Sequence, residues 1–480
     1  MKLQKQKTIV AVLVLLLLNA CSEVLPPEPY GPVPTQRQLA WHELEYYAFI
    51  HFNMNTFTDY EWGQGTEDPD LFNPTELDCR QWARVCKEAG MKGIIITAKH
   101  HDGFCLWPSE LTDHSVESSS WQSGEGDVLK DLSEACREYG LKFGIYMSPW
   151  DRHESSYGDS PRYNEHFKNQ LREVLTNYGD VFEVWFDGAC GEGPNGKKQV
   201  YDWKGFIEVV RECQLNAVIF SDAGPDIRWV GTERGFANPT NWSTLNRDSV
   251  YPGYPGYVEL RSGHEDGTHW VPAEADVSIR PGWYYHKDQD DKVKSLEHLL
   301  KIYFETVGRN ANLLLNLPVD RRGLVHENDV KQLKILKEAL DKDFALNLAK
   351  GKKVTADQFR GKSSKFGPEN TIDENKNTYW ATENNVIQAS LTIDLGETAE
   401  FNCVLLQEYI TLGQRIKLFN IEAWNGNDWN VISEGTTIGY KRVLRFPLVK
   451  TNKFRLNILE AKACPTISNV ELYKTREYFK

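Results

Sequence analysis

The sequence predicts an α/β barrel of the (β/α)8 type with an irregular later half, followed by a C-terminal β-sandwich. Two observations point to the barrel. Three times a helical stretch ends at a glycine and feeds an apolar strand, in "VCKEAGMKGIIITA", "ACREYGLKFGIYMS" and "VLTNYGDVFEVWFDG", and "VVRECQLNAVIFSD" repeats the unit without the glycine. Apolar runs alternating with helices are the pattern of a parallel sheet covered on both faces. A third observation points to the sandwich. From about Gly351 helical spacing disappears, and short stretches such as "ASLTIDLG", "KRVLRFPLV" and "ISNVELYK" alternate apolar with polar residues.

Taken in chain order, residues 1–20 read as a signal peptide. Lys2, Lys5 and Lys7 precede an apolar stretch from Ile9 to Leu18 that is too short to span a membrane. The exit Leu18-Asn19-Ala20-Cys21 resembles a bacterial lipobox, in which Cys21 would be lipidated. The alternative is a plain secretory signal with Cys21 coincidental. Lipidation implies an exported protein, periplasmic or on the outer-membrane surface, that meets the membrane through its anchor alone. Residues 21–40 are rich in proline and read as a tether.

The chain carries a net charge of −13, and loss of the signal removes three further lysines. So acidic a surface excludes nucleic acid as a partner. Cys79, Cys86, Cys105, Cys136, Cys190, Cys213, Cys403 and Cys464 sit mostly inside apolar runs and read as small buried hydrophobes.

The catalytic barrel is expected over residues 41–345. Its first strand lies at Tyr46 to Phe52, and later ones lie near Val277 to Arg280 and at Ala311 to Leu317. Val128, Leu129, Leu132, Ala135 and Cys136 have helical spacing, and Gly140 is placed to stop that helix. No glycine-rich dinucleotide fingerprint follows the first strand. Between Ser221 and Gly282 the helical signal vanishes, hence the irregular later half. The sandwich is expected over residues 346–480.

Barrel enzymes work at the C-terminal ends of their strands. Those ends present His51 and Asn53, His100, His101 and Asp102, Tyr146 with Ser148, Asp187, and Asp222. The pair His100 and His101 invites a metal reading, but no well-spaced third ligand accompanies it. Hydrogen bonding to sugar hydroxyls is the reading that remains. Trp62, Trp107, Trp150 and Trp283 near the same ends suit the apolar faces of a sugar, with core packing as the competing use. Glycoside hydrolysis needs two carboxyl groups. Asp187, directly after a buried strand and before Gly188, is the best nucleophile by position, with a turn-capping Asp before glycine as the competing reading. Glu233, Asp226, Glu274 and Asp276 all lie in the irregular region, and residue type alone does not choose among them.

The stretches "AFIHFN", "AKHHDGFCLWPSELTDHSV" and "EVWFDGA" together resemble the α-L-fucosidases of glycoside hydrolase family 29. "GPDIRWVGTERG" further resembles the subfamily that prefers α1,3/4-linked fucose on branched glycans. The resemblance implies a retaining enzyme with Asp187 as nucleophile and Glu233 as acid/base. The "GTE" around Glu233 departs from the commoner "GNE". Fucose contacts carry over to His51, Glu61, His100, His101 and Trp283, with Trp62, Tyr146 and Arg280 as further candidates. Substrates are then fucosylated oligosaccharides or glycoconjugates. The resemblance brings no cofactor with it, and a structural calcium in the sandwich is not indicated. The sandwich resembles the discoidin-like modules of glycosidases through "TYWAT", "LTIDLG" and "ISNVELY". Two alternatives stay beside this reading: a glycan-binding surface lipoprotein on an inactive glycosidase barrel, and a related barrel glycosidase acting on another sugar. The presence of Asp187 and Glu233 argues against the first, and the double histidine with "WFDG" against the second.

Overall fold

The computed structural model describes residues 24–477; the signal segment and Cys21 lie outside the described residues. Eight strands form the barrel: β1 (Tyr46–Ile50), β2 (Gly93–Lys99), β3 (Lys142–Met147), β4 (Val181–Phe186), β5 (Val218–Ser221), β6 (Ile227–Trp229), β7 (Ala273–Ser278) and β8 (Ala311–Asn316). Each pairs in parallel with the next, and β8 pairs with β1 to close the ring. Nearly every residue of these strands is buried. That is why they read as continuous apolar runs and not as alternating ones.

Six helices cover the outside: α1 (Cys79–Glu88), α2 (Val128–Tyr139), α3 (Ser160–Asn177), α4 (Trp203–Cys213), α5 (Leu296–Thr306) and α6 (Glu327–Asp343). Asp78, Asp127, Asp202 and Ser295 cap four of them, each side chain accepting a backbone N–H of the first turn. Gly140 closes α2 in the left-handed conformation, with φ 64°. Outward residues such as Ile94, Ile96 and Val184 pack on Leu132, Leu171 and Val210 of the helices. Inward residues, among them Tyr47, Phe49, Trp185, Phe220 and Leu314, fill the barrel interior.

The later half is irregular, as the vanishing helical signal predicts. Only residues 222–226 join β5 to β6, and the excursion from β6 to β7 carries one short helix, Tyr257–Leu260, and a short antiparallel pairing of Thr244–Leu245 with His269–Trp270. Arg228 organises this excursion. Fully buried, it donates to the carbonyls of Leu260, Val271 and Trp242 and to Asn241 Oδ1. With carbonyl partners, burial pulls its pKa down to about 9.

The second unit is an antiparallel sheet system in which two long strands, β9 (Ala389–Glu408) and β10 (Arg442–Ala461), pair along their length. Their register breaks between Asp394 and Ala399 and between Phe401 and Cys403, and such irregularities bend strands. Leu391, Ile393, Leu406, Phe419, Phe454 and Leu456 lie in its core. The expectation of a barrel followed by a discoidin-like β domain holds.

The described part of the proline-rich segment, read above as a tether, lies hydrogen-bonded to the second unit. Leu25 and Glu28 give their carbonyls to Arg360 and Arg415, and the Tyr30 N–H donates to the Leu412 carbonyl. Prolines lack the N–H but keep the carbonyl, so arginines can hold such a segment without a sheet ladder. Six of the eight described cysteines are buried and all are unpaired. No helix among the described residues is long and apolar enough to cross a membrane.

Asn310 ties the two units together. Its amide donates to the Asn241 carbonyl and to Ser243 Oγ, and its Oδ1 accepts the Tyr440 N–H at 2.8 Å. Asn310→Ala strands the buried Tyr440 N–H and should cost about 1 to 3 kcal/mol of unfolding free energy. A shift of the urea midpoint to lower concentration checks this, and an unchanged midpoint refutes it.

Candidate active site

At the C-terminal mouth of the barrel lies a cavity of about 340 Å³, at the small end of the range for ligand pockets. His51, Glu61, Trp62, His100, His101, Tyr146, Asp187, Glu233 and Trp283 all line it. These are all but one of the substrate-binding and catalytic residues expected from the sequence. Arg280 is the exception. It is buried outside the cavity, where its guanidinium pairs with Asp329 and Asp290. The chain turns at Gly282, whose carbonyl accepts from Ser278 Oγ, so the inward alternation of β7 does not extend to residue 280.

Asp187 follows the last residue of β4. Its Oδ1 accepts the Ala189 N–H at 2.8 Å, and its Oδ2 accepts the Tyr146 hydroxyl at 2.9 Å. The first bond is the turn-capping one that an Asp before glycine makes. The second is a tertiary bond that aims the carboxylate. Gly188 is needed where it stands, since a Cβ there would collide with Asp222 Oδ2.

The three histidines use one ring nitrogen each for the protein. His51 Nδ1 donates to Asn316 Oδ1 at 2.7 Å; the Asn316 amide nitrogen is committed to Ser278 Oγ and the Trp283 carbonyl. Ser148 Oγ donates to the Trp150 carbonyl, so it accepts from His101 Nδ1 at 2.7 Å. Asn55 Nδ2, which also donates to the Glu61 carbonyl, lies 3.3 Å from His100 Nδ1. The remaining nitrogens therefore offer acceptors on His51 and His101 and a donor on His100. Burial lowers the pKa of all three, that of His51 to about 3, so the rings are neutral. Adjacent residues can share a site only past the end of a strand, and β2 does end at Lys99.

Glu61 accepts the Trp283 N–H at 3.0 Å and meets His286 Nε2 at 2.7 Å. Trp62 stands at the rim, 58% exposed, edge-on to His101 and Trp150. Trp107 turns away: it is buried and donates to Glu173.

Four carboxyls competed for the second catalytic role. Asp226 is consumed by Arg37 and Arg211, and Glu274 lies buried below the cavity. Glu233 and Asp276 line it. Burial raises the Glu233 pKa, opposed by a hydrogen bond with Trp283 and reinforced by the charges of Asp187 and Glu61. Asp276 accepts the Trp229 indole N–H at 2.7 Å. Asp222, a third carboxyl of the wall, is pushed up to about 6 by burial and the Asp187 charge, against a bond from the Gly253 N–H. Trp229 and Tyr257 also line the cavity. Trp229 sits in the quoted "IRWVG" stretch, whereas Tyr257 lies in the irregular excursion and carries no periodic signal. Among the described residues, no group of three or more His, Cys, Asp or Glu is arranged to hold a metal ion.

Residues 33–342 match the sequence profile described as alpha-L-fucosidase. The chain belongs to that family. Residues 353–471 match the F5/8 type C domain. Alpha-L-fucosidase 1 of Arabidopsis thaliana is 43% identical over 471 residues, covering 96% of this chain and 92% of the plant protein. A Ruminococcus gnavus GH29 fucosidase solved in complex with fucose superposes with a TM-score of 0.87 at 34% identity, over 95% of this chain and 97% of the other. SpGH29 superposes with a TM-score of 0.90 at 41% identity, over 94% and 100%. The protein is thus an α-L-fucosidase of glycoside hydrolase family 29, acting on fucose-containing glycans.

A Cβ on Gly282 would collide with Glu61 Oε1 and crowd His286. Gly282→Ala should displace Glu61 and weaken competitive inhibition by L-fucose about tenfold, roughly 1.4 kcal/mol. An unchanged inhibition constant would take Glu61 out of the sugar site.

Proposed function

We propose that this fucosidase is a retaining enzyme in which Asp187 is the nucleophile and Glu233 the acid/base, and that it removes α1,3/4-linked fucose from branched glycans. The observation that carries the assignment is the pairing of two differently placed carboxyls in one cavity. Asp187 is held by two donors, which fix the direction of its carboxylate. Glu233 lines the same cavity with its pKa raised.

In the first step Asp187 Oδ attacks the anomeric carbon as its bond to the leaving oxygen breaks, and Glu233 gives that oxygen its proton. A covalent fucosyl-enzyme results. Glu233, now ionised, takes a proton from water, whose oxygen attacks the anomeric carbon and expels Asp187. Two inversions retain the α configuration. Neutral His51, His100 and His101 bind ring hydroxyls in either direction, and Trp283 offers an apolar face for the C5 methyl. The α1,3/4 preference is supported by the "GPDIRWVGTERG" stretch, which supplies both Glu233 and the cavity-lining Trp229. We further propose export and lipid attachment at Cys21, on the strength of the lipobox-like exit.

Asp187→Ala should abolish release of fucose, and wild-type turnover would exclude it as nucleophile. Activity needs Glu233 protonated, so the rate must fall as pH rises through its raised pKa. With an activated aryl fucoside, which needs no proton, Glu233→Ala should lose that basic limb and recover turnover with azide, yielding the α-azide. Rescue by azide in Asp276→Ala instead would transfer the acid role.

A panel of α1,2-, α1,3-, α1,4- and α1,6-linked fucosides should show release from the α1,3 and α1,4 members first. In bacterial expression, labelled palmitate should enter the wild type and not Cys21→Ala; a panel without preference or an unlabelled wild type counts against the respective part.

A further inference from the structure

Below the sugar cavity lies a second pair of carboxyls that the reaction does not touch. Glu183 on β4 and Glu274 on β7 both point into the barrel and are fully buried. Glu274 Oε1 accepts the Trp185 indole N–H at 2.9 Å, and its Oε2 accepts the Tyr47 hydroxyl. The Trp41 indole N–H lies 2.8 Å from the Tyr47 oxygen and 3.2 Å from Glu183 Oε2. Among the described residues neither carboxyl has a cationic partner; indoles, a phenol and the other carboxyl surround them.

Two bare carboxylates cannot share such a place. Glu183, whose Oε1 is reached by no indole or phenol donor, fits the neutral acid, with its proton turned to Glu274. Glu274 then holds the negative charge, with donors from Glu183, Tyr47 and Trp185. Burial holds Glu183 far above the ordinary carboxyl range, in keeping with this assignment.

What this charge holds is the indole of Trp185. One ring face stacks on Phe220 at 4.1 Å and 10°, and the ring also stacks with Tyr146 at 5.2 Å and 26°. Tyr146 in turn donates to Asp187 Oδ2. Glu183, Trp185 and Asp187 alternate along one strand and face one interior, so the link runs from the buried carboxylate through an indole and a phenol to the reacting carboxylate.

We propose that Glu274 is a positioning residue of the fucosidase: by pinning the Trp185 indole it fixes the Tyr146 phenol, and through it the aim of Asp187. The proposal rests on Asp187 being the nucleophile. It predicts that loosening the pin slows attack more than it weakens sugar binding.

The test is inactivation by 2-deoxy-2-fluoro-α-L-fucosyl fluoride, which reports the attack rate and the binding constant separately. Glu274→Gln should slow inactivation about tenfold or more, the scale on which a displaced reacting group loses rate, with a binding constant within about twofold. Trp185→Phe keeps an aromatic ring and both carboxyls and deletes only the N–H that Glu274 Oε1 accepts, and it should slow inactivation comparably. The double variant should be no slower than the slower single, because both act through one bond. An unchanged attack rate in folded Trp185→Phe overturns the proposal, as do multiplying effects in the double variant or a loss confined to binding. The Trp185→Phe arm decides the question even where Glu274→Gln does not fold. Mapping the labelled peptide of the wild type keeps the parent reading separate: a label away from Asp187 defeats that reading, whereas a label on Asp187 with an unaffected Trp185→Phe defeats this one.

Discussion

Closing eight parallel strands into a ring forces every second residue of each strand into a shared interior, and the active site is a consequence of that constraint. On β4 and the residue after it, the period of two places Glu183, Trp185 and Asp187 in one column. On β1 and beyond it, Tyr47, Phe49 and His51 stand in another, and their rings interlock with Trp185 and Tyr146. The bottom of each column is sealed from water, and the top meets solvent. The same alternation that packs the core therefore delivers a carboxylate and an imidazole to the mouth, with their supports fixed beneath them.

The constraint is weakest where helices are missing. A helix normally covers the outer face of a barrel strand and returns the chain to the start of the next. Between β5 and β6 residues 222–226 replace it, and between β6 and β7 the chain wanders over the mouth before returning. That excursion gathers its carbonyls around Arg228, so a buried cation substitutes for a hydrophobic face. The sandwich then grips the same excursion from outside. Gln414 accepts the Ser243 N–H and donates to the Asn241 carbonyl, Arg442 donates to the Pro239 carbonyl, and Lys417 pairs with Glu265. Glu233 and Tyr257 sit on this segment. The C-terminal domain thus braces a wall of the cavity, a mechanical use that needs no sugar site of its own.

This division explains what could be read from sequence. Asp187, His51, Tyr146 and the two histidines were legible because each stands where an apolar run stops, and strand ends are where barrels work. Glu233 stands on no strand; position did not single it out among four carboxyls, and only the resemblance did. Arg280 came from the resemblance alone; in the structure the chain turns at Gly282 and the guanidinium goes to Asp329 on α6. The docking of the proline-rich segment was not legible because arginine-to-carbonyl bonds leave no periodic trace. Glu183 was hidden for the opposite reason. One acidic residue inside "VFEVWF" reads as a lapse in an apolar run, and its partner Glu274 is 91 positions away in the chain.

The electrostatics of the cavity follow from the same burial. Asp187, Asp222, Glu233 and Asp276 line one small space, and in water such a set would invite a cation. The protein instead supplies neutral donors: a phenol and an N–H for Asp187, an N–H for Asp222, and indoles for Glu233 and Asp276. Charged imidazoles would pair with these groups and tie up the acceptors that a sugar needs, but burial keeps the rings uncharged. His101 shows the result most directly. Its Nδ1–H is spent on Ser148, so Nε2 presents a lone pair 3.9 Å from Asp187 Oδ2. Two acceptors at that separation repel unless a donor enters between them. A sugar hydroxyl is such a donor, so this pair of acceptors favours a hydroxyl-bearing ring at the mouth of the barrel.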